Sequence, residues 1–377
     1  MKLEDAIDFN PTEKLAKNAY AKKIGMDKLS PFYKYIDSFE YEKYSGGAKF
    51  RNGDTIVARI TPCLENGKTA YIDLLDDDEI AFGSTEFIVM RNKENVTIPE
   101  YVYYLSISPK FREKAISLMT GTSGRQRVQL PPLKEEKFYI LSIHDQIKMV
   151  KILSAIDEKI KLNSKINNNL HELMKIKFNN CIDNLEEYEE SVLSKIANYK
   201  NGLAMQKFRP IDESGLPVIK IKEMNSGITS ETERCRSDID SDVIIDNGDI
   251  LFAWSGTLCM SIWCGGRAGL NQHIFKVTSD KYPKWFCYFW TLKHLDNFIE
   301  IAAGKATTMG HIKRTELDKA IVKIPNEKIM ETMDKIFTPM LNEYVNNSIE
   351  SKSLSELRDT LLPKLMNGEI DLDNIEI

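Results

Sequence analysis

The chain is written twice, and that duplication limits its fold more than any other feature. Met149, Leu153, Ile156, Ile160, Asn163 and Leu170 align with Met333, Phe337, Met340, Tyr344, Asn347 and Leu354 at one interval, 333 − 149 = 184 residues. A register held over several helical turns, with the pairs Asn163/Asn347 and Leu170/Leu354 identical, marks an internal repeat. Each copy reads as a strand-rich lobe followed by a long helix. The expected fold class is therefore α+β, with two pseudo-symmetric lobes.

The lobes share an order of signals. Asn52-Gly53-Asp54 precedes the strand-like run Thr55–Ile60, and Asn247-Gly248-Asp249 precedes Ile250–Trp254. Further strands are expected at Glu86–Met90 and Asn271–Val277, and helices at Pro99–Leu105, Phe111–Met119 and from Trp285. Tyr104 and Tyr288 keep the 184-residue interval, whereas the turns differ by 248 − 53 = 195, so insertions fall inside the lobes.

In the helix expected from about Gln146 to Cys181, Met149, Leu153, Ile156, Ile160, Asn163, Asn167, Leu170 and Met174 alternate in steps of four and three. Such spacing keeps one narrow stripe against a partner helix. The second helix, about Glu327 to Leu365, repeats it, and the two most simply pair with each other, antiparallel. Two readings of Asn163 and Asn347 stand side by side. They lie in the seam and fix its register, or the stripe widens there and they meet solvent.

A chain of 377 residues exceeds one ordinary core. Its 42% hydrophobic and 28% charged content is that of a globular protein, and the net charge of −5 leaves only a local surface for any nucleic acid. The charged start MKLEDAIDFN lacks a signal-peptide core and no apolar run reaches membrane-span length, so a cytoplasmic protein is expected. Cys63, Cys181, Cys235, Cys259, Cys264 and Cys287 contain no CxxC pair and read as reduced, mostly buried thiols.

No catalytic constellation is present in the sequence. His144, His171, His273, His294 and His311 have no metal spacing, and phosphate-binding, dinucleotide-binding and amino-methyltransferase motifs are missing. No cofactor or metal is expected, and a non-catalytic binding module is favoured. The informative segment is Gly121-Thr122-Ser123-Gly124-Arg125-Gln126-Arg127, which follows Lys110, Arg112 and Lys114. Arginine matches the O6 and N7 of guanine, glutamine matches adenine, and glycines with hydroxyls admit phosphates. Lobe two has Gly304–Arg314 at the same place, again without an acid.

The run Ile152–Ile160 with Asn163 after Gln146, the closing segment Leu357–Ile370, and Gly83-Ser84-Thr85-Glu86-Phe87 together resemble the specificity subunit of type I restriction-modification systems. The resemblance implies two target recognition domains separated by an antiparallel two-helix coiled coil. Each would read half of a bipartite double-stranded DNA site, with the helices setting the spacer. Two methyltransferase subunits, which bind S-adenosylmethionine, would dock on it, and two restriction subunits can join. The expected boundaries are 1–145 for target recognition domain one, 146–185 for the central helix, 186–325 for domain two and 326–377 for the C-terminal helix.

Candidate DNA contacts are Arg59, Ser84, Thr85, Thr122, Ser123, Arg125, Gln126 and Arg127 in lobe one. In lobe two they are Lys305, Thr307, Thr308, His311, Lys313 and Arg314. The coiled-coil and partner-docking residues are Leu153, Ile156, Ile160, Asn163, Leu170, Phe337, Met340, Tyr344, Asn347 and Leu354. A competing reading is a coiled-coil scaffold whose lobes bind proteins, suggested by Trp254, Trp263, Trp285 and Trp290.

Overall fold

The computed structural model describes residues 1–372 except Ser123, residues 211–214, Ser230 and residues 305–309. The chain mixes helix and sheet and divides into two units, Met1–Lys161 with Leu354–Ile377, and Leu162–Ser353. Two long helices, Ile143–Asp183 and Glu327–Met366, each contribute to both units. The first, at 41 residues, starts and ends a few residues beyond the expected limits and measures about 60 Å at 1.5 Å per residue.

Each unit holds two four-stranded sheets with the same topology. In unit 1 the first sheet runs Ile7–Phe9, Phe87–Asn92, Thr55–Ala58, Thr69–Tyr71, all antiparallel. In unit 2 the matching order is Asn198–Asn201, Ile274–Thr278, Asp249–Ala253, Cys259–Trp263. The second sheets correspond too, with a single parallel pairing in each: Tyr20–Ile24 beside Ala81–Gly83, and Leu216–Ile219 beside Ala268–Leu270.

The paired turns show why the sequence repeats there. Gly53 and Gly248 take φ of +88° and +83°, the left-handed region that glycine enters without a Cβ penalty. The following aspartate closes each turn, Asp54 Oδ2 accepting from Arg51 N and Asp249 Oδ2 from Asp246 N, both at 2.9 Å. The alternation read in the next strand is real, but both of its faces are buried. Val57 joins a core with Ile88, Met90 and Tyr101, while Ile56 joins another with Ala70, Phe87 and Val89. Phe252 and Leu251 divide in the same way in unit 2.

Helix packing completes each core. In unit 1, Pro99–Ile107 brings Tyr101, Tyr103 and Tyr104 into a core that includes Met149, Leu153, Leu362 and Leu365. In unit 2, Lys284–Lys293 brings Trp285, Phe286 and Phe289 around Phe178 and Phe337, with Trp285 stacked on Phe337 at 4.6 Å. Full burial of each such side chain contributes roughly 1.5–3 kcal/mol. Trp263, Trp285 and Trp290 are all buried, so the tryptophan-rich protein-binding surface of the scaffold reading is not formed by them. The cysteines are all free, but only Cys235 and Cys287 are buried and Cys181 is exposed, which corrects the expectation of mostly buried thiols.

Of the seam residues, Leu153, Ile156, Ile160, Asn163, Phe337 and Asn347 are buried, and Leu170, Met340, Tyr344 and Leu354 are half-buried. The asparagines face inward. Asn347 Nδ2 donates to Asn167 Oδ1 at 3.1 Å, Asn163 Nδ2 to Glu350 Oε2 at 2.8 Å, and Asn167 Nδ2 to Tyr344 O at 3.0 Å. As numbers rise along one helix they fall along the other, so the two segments run antiparallel within unit 2. This decides for the seam over the solvent reading.

Gln146, fully buried, fixes the start of the first long helix on its lobe. Its Oε1 accepts from Ile98 N at 2.9 Å, and its Nε2 donates to Val96 O at 2.9 Å and Leu141 O at 2.8 Å.

Candidate nucleic-acid interface

In lobe one the chain leaves the strand Thr55–Ala58 as an extended segment that the 121–128 loop clasps. Arg59 N donates to Glu86 O and Val128 N to Arg59 O, both at 2.9 Å, while Thr61 N donates to Gln126 O at 3.0 Å. Ile60 bridges Arg127, and Arg127–Val128 pairs with Met119–Thr120. Three segments distant in sequence therefore meet at one edge: Arg59–Thr61, Ser84–Glu86 and the glycine loop.

The side chains there are organised by one ion pair. Arg127 Nε donates to Glu86 Oε1 and Oε2 at 2.9 Å each, and Nη2 to Oε1 at 2.6 Å. Ser84 Oγ orients the acid's backbone by accepting from Glu86 N at 3.1 Å. Hydrogen bonding from Arg127 holds the Glu86 carboxyl below its ordinary range, against a smaller opposing effect of burial. Arg59 Nη2 donates to Val128 O at 3.0 Å, which turns part of that side chain inward.

Thr85, Thr122 and Arg125 are exposed, and Gln126 is half-buried. Ser123 lies outside the described residues. Of the other basic residues read in this segment, Arg112 donates to Glu65 O at 3.0 Å and Lys114 pairs with Glu136 at 2.9 Å, so neither is free for a ligand without rearrangement.

Lobe two has the same main-chain frame. Trp254 N donates to His273 O and Ile312 N to Trp254 O, both at 3.2 Å, and Gly256 N donates to Gly310 O at 2.9 Å; Ser255 bridges His311. Bond for bond, Trp254 stands where Arg59 does, His273 where Glu86 does, and His311 where Arg127 does.

The chemistry differs. Trp254 has the rings of His273 and His311 at 6.1 and 6.4 Å, and Gln272 Nε2 lies 3.2 Å from His273 Nε2. Trp254 Nε1 and His273 Nδ1 are buried without a hydrogen-bond partner among the described residues. Lys313 is exposed, and Arg314 donates to Tyr199 O while standing 5.8 Å over the Phe275 ring. Lys305, Thr307 and Thr308 lie outside the described residues.

Glu86, Trp254, Gln272 and His273 were not among the site residues expected from the sequence. The signal was available in intervals other than 184: Arg59 to Trp254 is 254 − 59 = 195, and Glu86 to His273 is 273 − 86 = 187. Among the described residues no cluster of histidine, cysteine and acids could hold a metal, and no helix is long and apolar enough to cross a membrane.

A family model described as type I restriction modification DNA specificity domain matches residues 1–172 and again 185–356. The chain is 20% identical to the type I restriction enzyme HindI specificity subunit of Haemophilus influenzae, with 97% of this chain and 98% of that protein covered. It is 22% identical to the MjaIX specificity subunit of Methanocaldococcus jannaschii, over 74% of this chain and 70% of that one. The solved S subunit of a type I restriction-modification system from M. genitalium shares its fold, with a TM-score of 0.54 at 15% identity, covering 97% of this chain and 95% of that one.

Proposed function

The chain belongs to the type I restriction modification DNA specificity family, and from that premise we propose that each lobe reads one half of a bipartite double-stranded DNA target. The chain is the recognition component of a restriction-modification complex and not its enzyme. The observation that carries the two-part reading is the pair of matching frames. Arg59, Glu86 and Arg127 sit on the same hydrogen-bonded scaffold as Trp254, His273 and His311. A scaffold kept while its side chains change is what two readers of different sequences need.

In this reading residues 1–145 and 186–325 are the target recognition domains, and 146–185 and 326–377 form an antiparallel coiled coil that sets the spacer. The seam side chains face inward, so two methyltransferase subunits would dock on apolar residues the helices leave exposed, such as Leu162, Leu173, Ile176 and Ile336. Restriction subunits join that assembly, which works in the cytoplasm. The test is co-expression with the cognate methyltransferase and mapping of methylated adenines across the host genome. A single asymmetric motif with a fixed unread gap is expected. Methylation without sequence preference, or a motif without a gap, overturns the proposal.

A further inference from the structure

Among the described residues, Arg127 is the one candidate DNA contact whose guanidinium is held side-on by a carboxylate. Its Nε–H and one Nη2–H are engaged by Glu86, and Nη1 has only a 3.5 Å approach to Arg125 O. An arginine has five N–H groups in a planar fork. With the side edge occupied, the remaining outward pair, one N–H from Nη1 and one from Nη2, forms an end-on edge with two parallel donors. That edge matches the O6 and N7 acceptors of guanine in the major groove, which no other base presents as a pair. Arg127 is 45% exposed, whereas Glu86 is 24% exposed beneath it.

We propose that Arg127 reads a guanine in the half-site of lobe one, and that Glu86 is its positioning residue, orienting the fork before DNA arrives. A free arginine loses rotamer freedom on binding, and a pre-oriented one loses less. A carboxylate near DNA also repels phosphate, so Glu86 disfavours the alternative in which Arg127 swings to the backbone. Lobe two does not repeat this device at the matching positions. Its equivalent positions are His273 and His311, with Trp254 between them, and they offer neither a carboxylate nor a five-donor fork. At these matched positions the two lobes therefore present different chemistry, a carboxylate-held arginine in one and an indole with two imidazoles in the other. The inference rests on the DNA-reading function above.

The test uses the full chain with its methyltransferase subunits and duplexes carrying the mapped motif. Each guanine is replaced in turn by 7-deazaguanine, which lacks the N7 acceptor. For the unaltered protein, one replacement in one half-site should weaken binding about tenfold or more. Arg127→Ala should weaken binding to the intact site by a similar factor and become insensitive to that replacement, with the other half-site's pattern unchanged. Glu86→Gln should lower the preference for guanine over adenine at that position while non-specific affinity holds or rises, an outcome that a folding role, which would weaken binding to every sequence together, would not give. If Arg127→Ala remains sensitive to every replacement, or Glu86→Gln leaves base preference intact, the proposal is wrong although the protein still reads DNA. Absence of any motif overturns the broader reading and this one with it.

Discussion

Arg358 and Asp157 form a salt bridge of 2.9 Å inside unit 1, with only 2% and 3% of their side chains exposed. Tyr104 Oη donates to the other carboxylate oxygen at 2.6 Å, and Arg358 Nη1 also donates to Phe32 O at 3.1 Å. Burial works against the guanidinium, but Asp157, with Tyr103 and Asp359, offsets it and holds Arg358 above its ordinary pKa. The positions displaced by the repeat interval, 358 − 184 = 174 and 157 + 184 = 341, are Met174 and Leu341, both buried in the core of unit 2. The duplication keeps these packing positions and changes their chemistry.

Arg358→Met alone should destabilise unit 1 by about 3–5 kcal/mol, because it leaves the Asp157 carboxylate buried and unpaired. The double variant Asp157→Leu with Arg358→Met, which copies the apolar pair of unit 2, should recover most of that loss. Urea unfolding of the full chain followed by circular dichroism checks both. A double variant no more stable than the single one would assign the energy to Tyr104 and the Phe32 carbonyl instead.

The seam asparagines should not be equivalent. Asn347→Ala removes the donor to Asn167 Oδ1 within a buried site and should cost about 1–3 kcal/mol. Asn163 already has a buried Oδ1 with no partner among the described residues, and its Nδ2 serves the exposed Glu350 at 2.8 Å and, at a long 3.4 Å, the Asn347 carbonyl. Asn163→Leu should therefore change stability by less than about 1 kcal/mol, since it also removes an unsatisfied acceptor. The same unfolding measurement ranks the two, and a larger cost at Asn163 contradicts the assignment.

Phe337 stacks on Trp285 at an interplanar angle of 21°, and Trp285 Nε1 donates to Asp334 Oδ1 at 2.8 Å. Phe337→Ala should cost about 3–5 kcal/mol through the cavity it leaves. It should also change the near-ultraviolet circular dichroism of the tryptophans. An unaltered spectrum would mean that the ring is not held as described.

The Glu86–Arg127 tie should depend on pH in a defined direction. The folded-state pKa of Glu86 lies below its usual 4.5, so the tie's contribution is fully present above that unfolded value and is lost as pH falls through the lower folded one. Nuclear magnetic resonance titration of the Glu86 side chain should give a midpoint below 4.5, moving back toward that value in Arg127→Ala. A midpoint unchanged by the substitution would show that Arg127 is not its cause.

The helices were legible in the sequence because a four-three spacing has one structural reading, and Met149, Leu153, Phe337 and Asn347 are buried as it requires. The ion pair of Asp157 with Arg358 was not legible, since its partners lie 201 residues apart and only the antiparallel packing of unit 1 joins them. In the lobes, one fixed interval concealed the site. Insertions between strands move the correspondence through 195 and 187 before it settles at 184, so Trp254 and His273 align with Arg59 and Glu86 only through their hydrogen bonds. The loop residues Arg125 to Arg127 stood out by composition. Their partner Glu86 stands in the run Gly83-Ser84-Thr85-Glu86-Phe87, where Ser84 and Thr85 read as DNA contacts and the acid beside them does not.

Gln146 has a consequence for how such a chain can change. All three bonds made by its amide go to main-chain atoms, Ile98 N, Val96 O and Leu141 O, and none to a side chain. The seat of the lobe on the helix is thus indifferent to the lobe's sequence and sensitive only to the path of its backbone. A lobe with an unrelated reading surface can be exchanged into the same place, provided its chain returns two carbonyls and one amide to this glutamine.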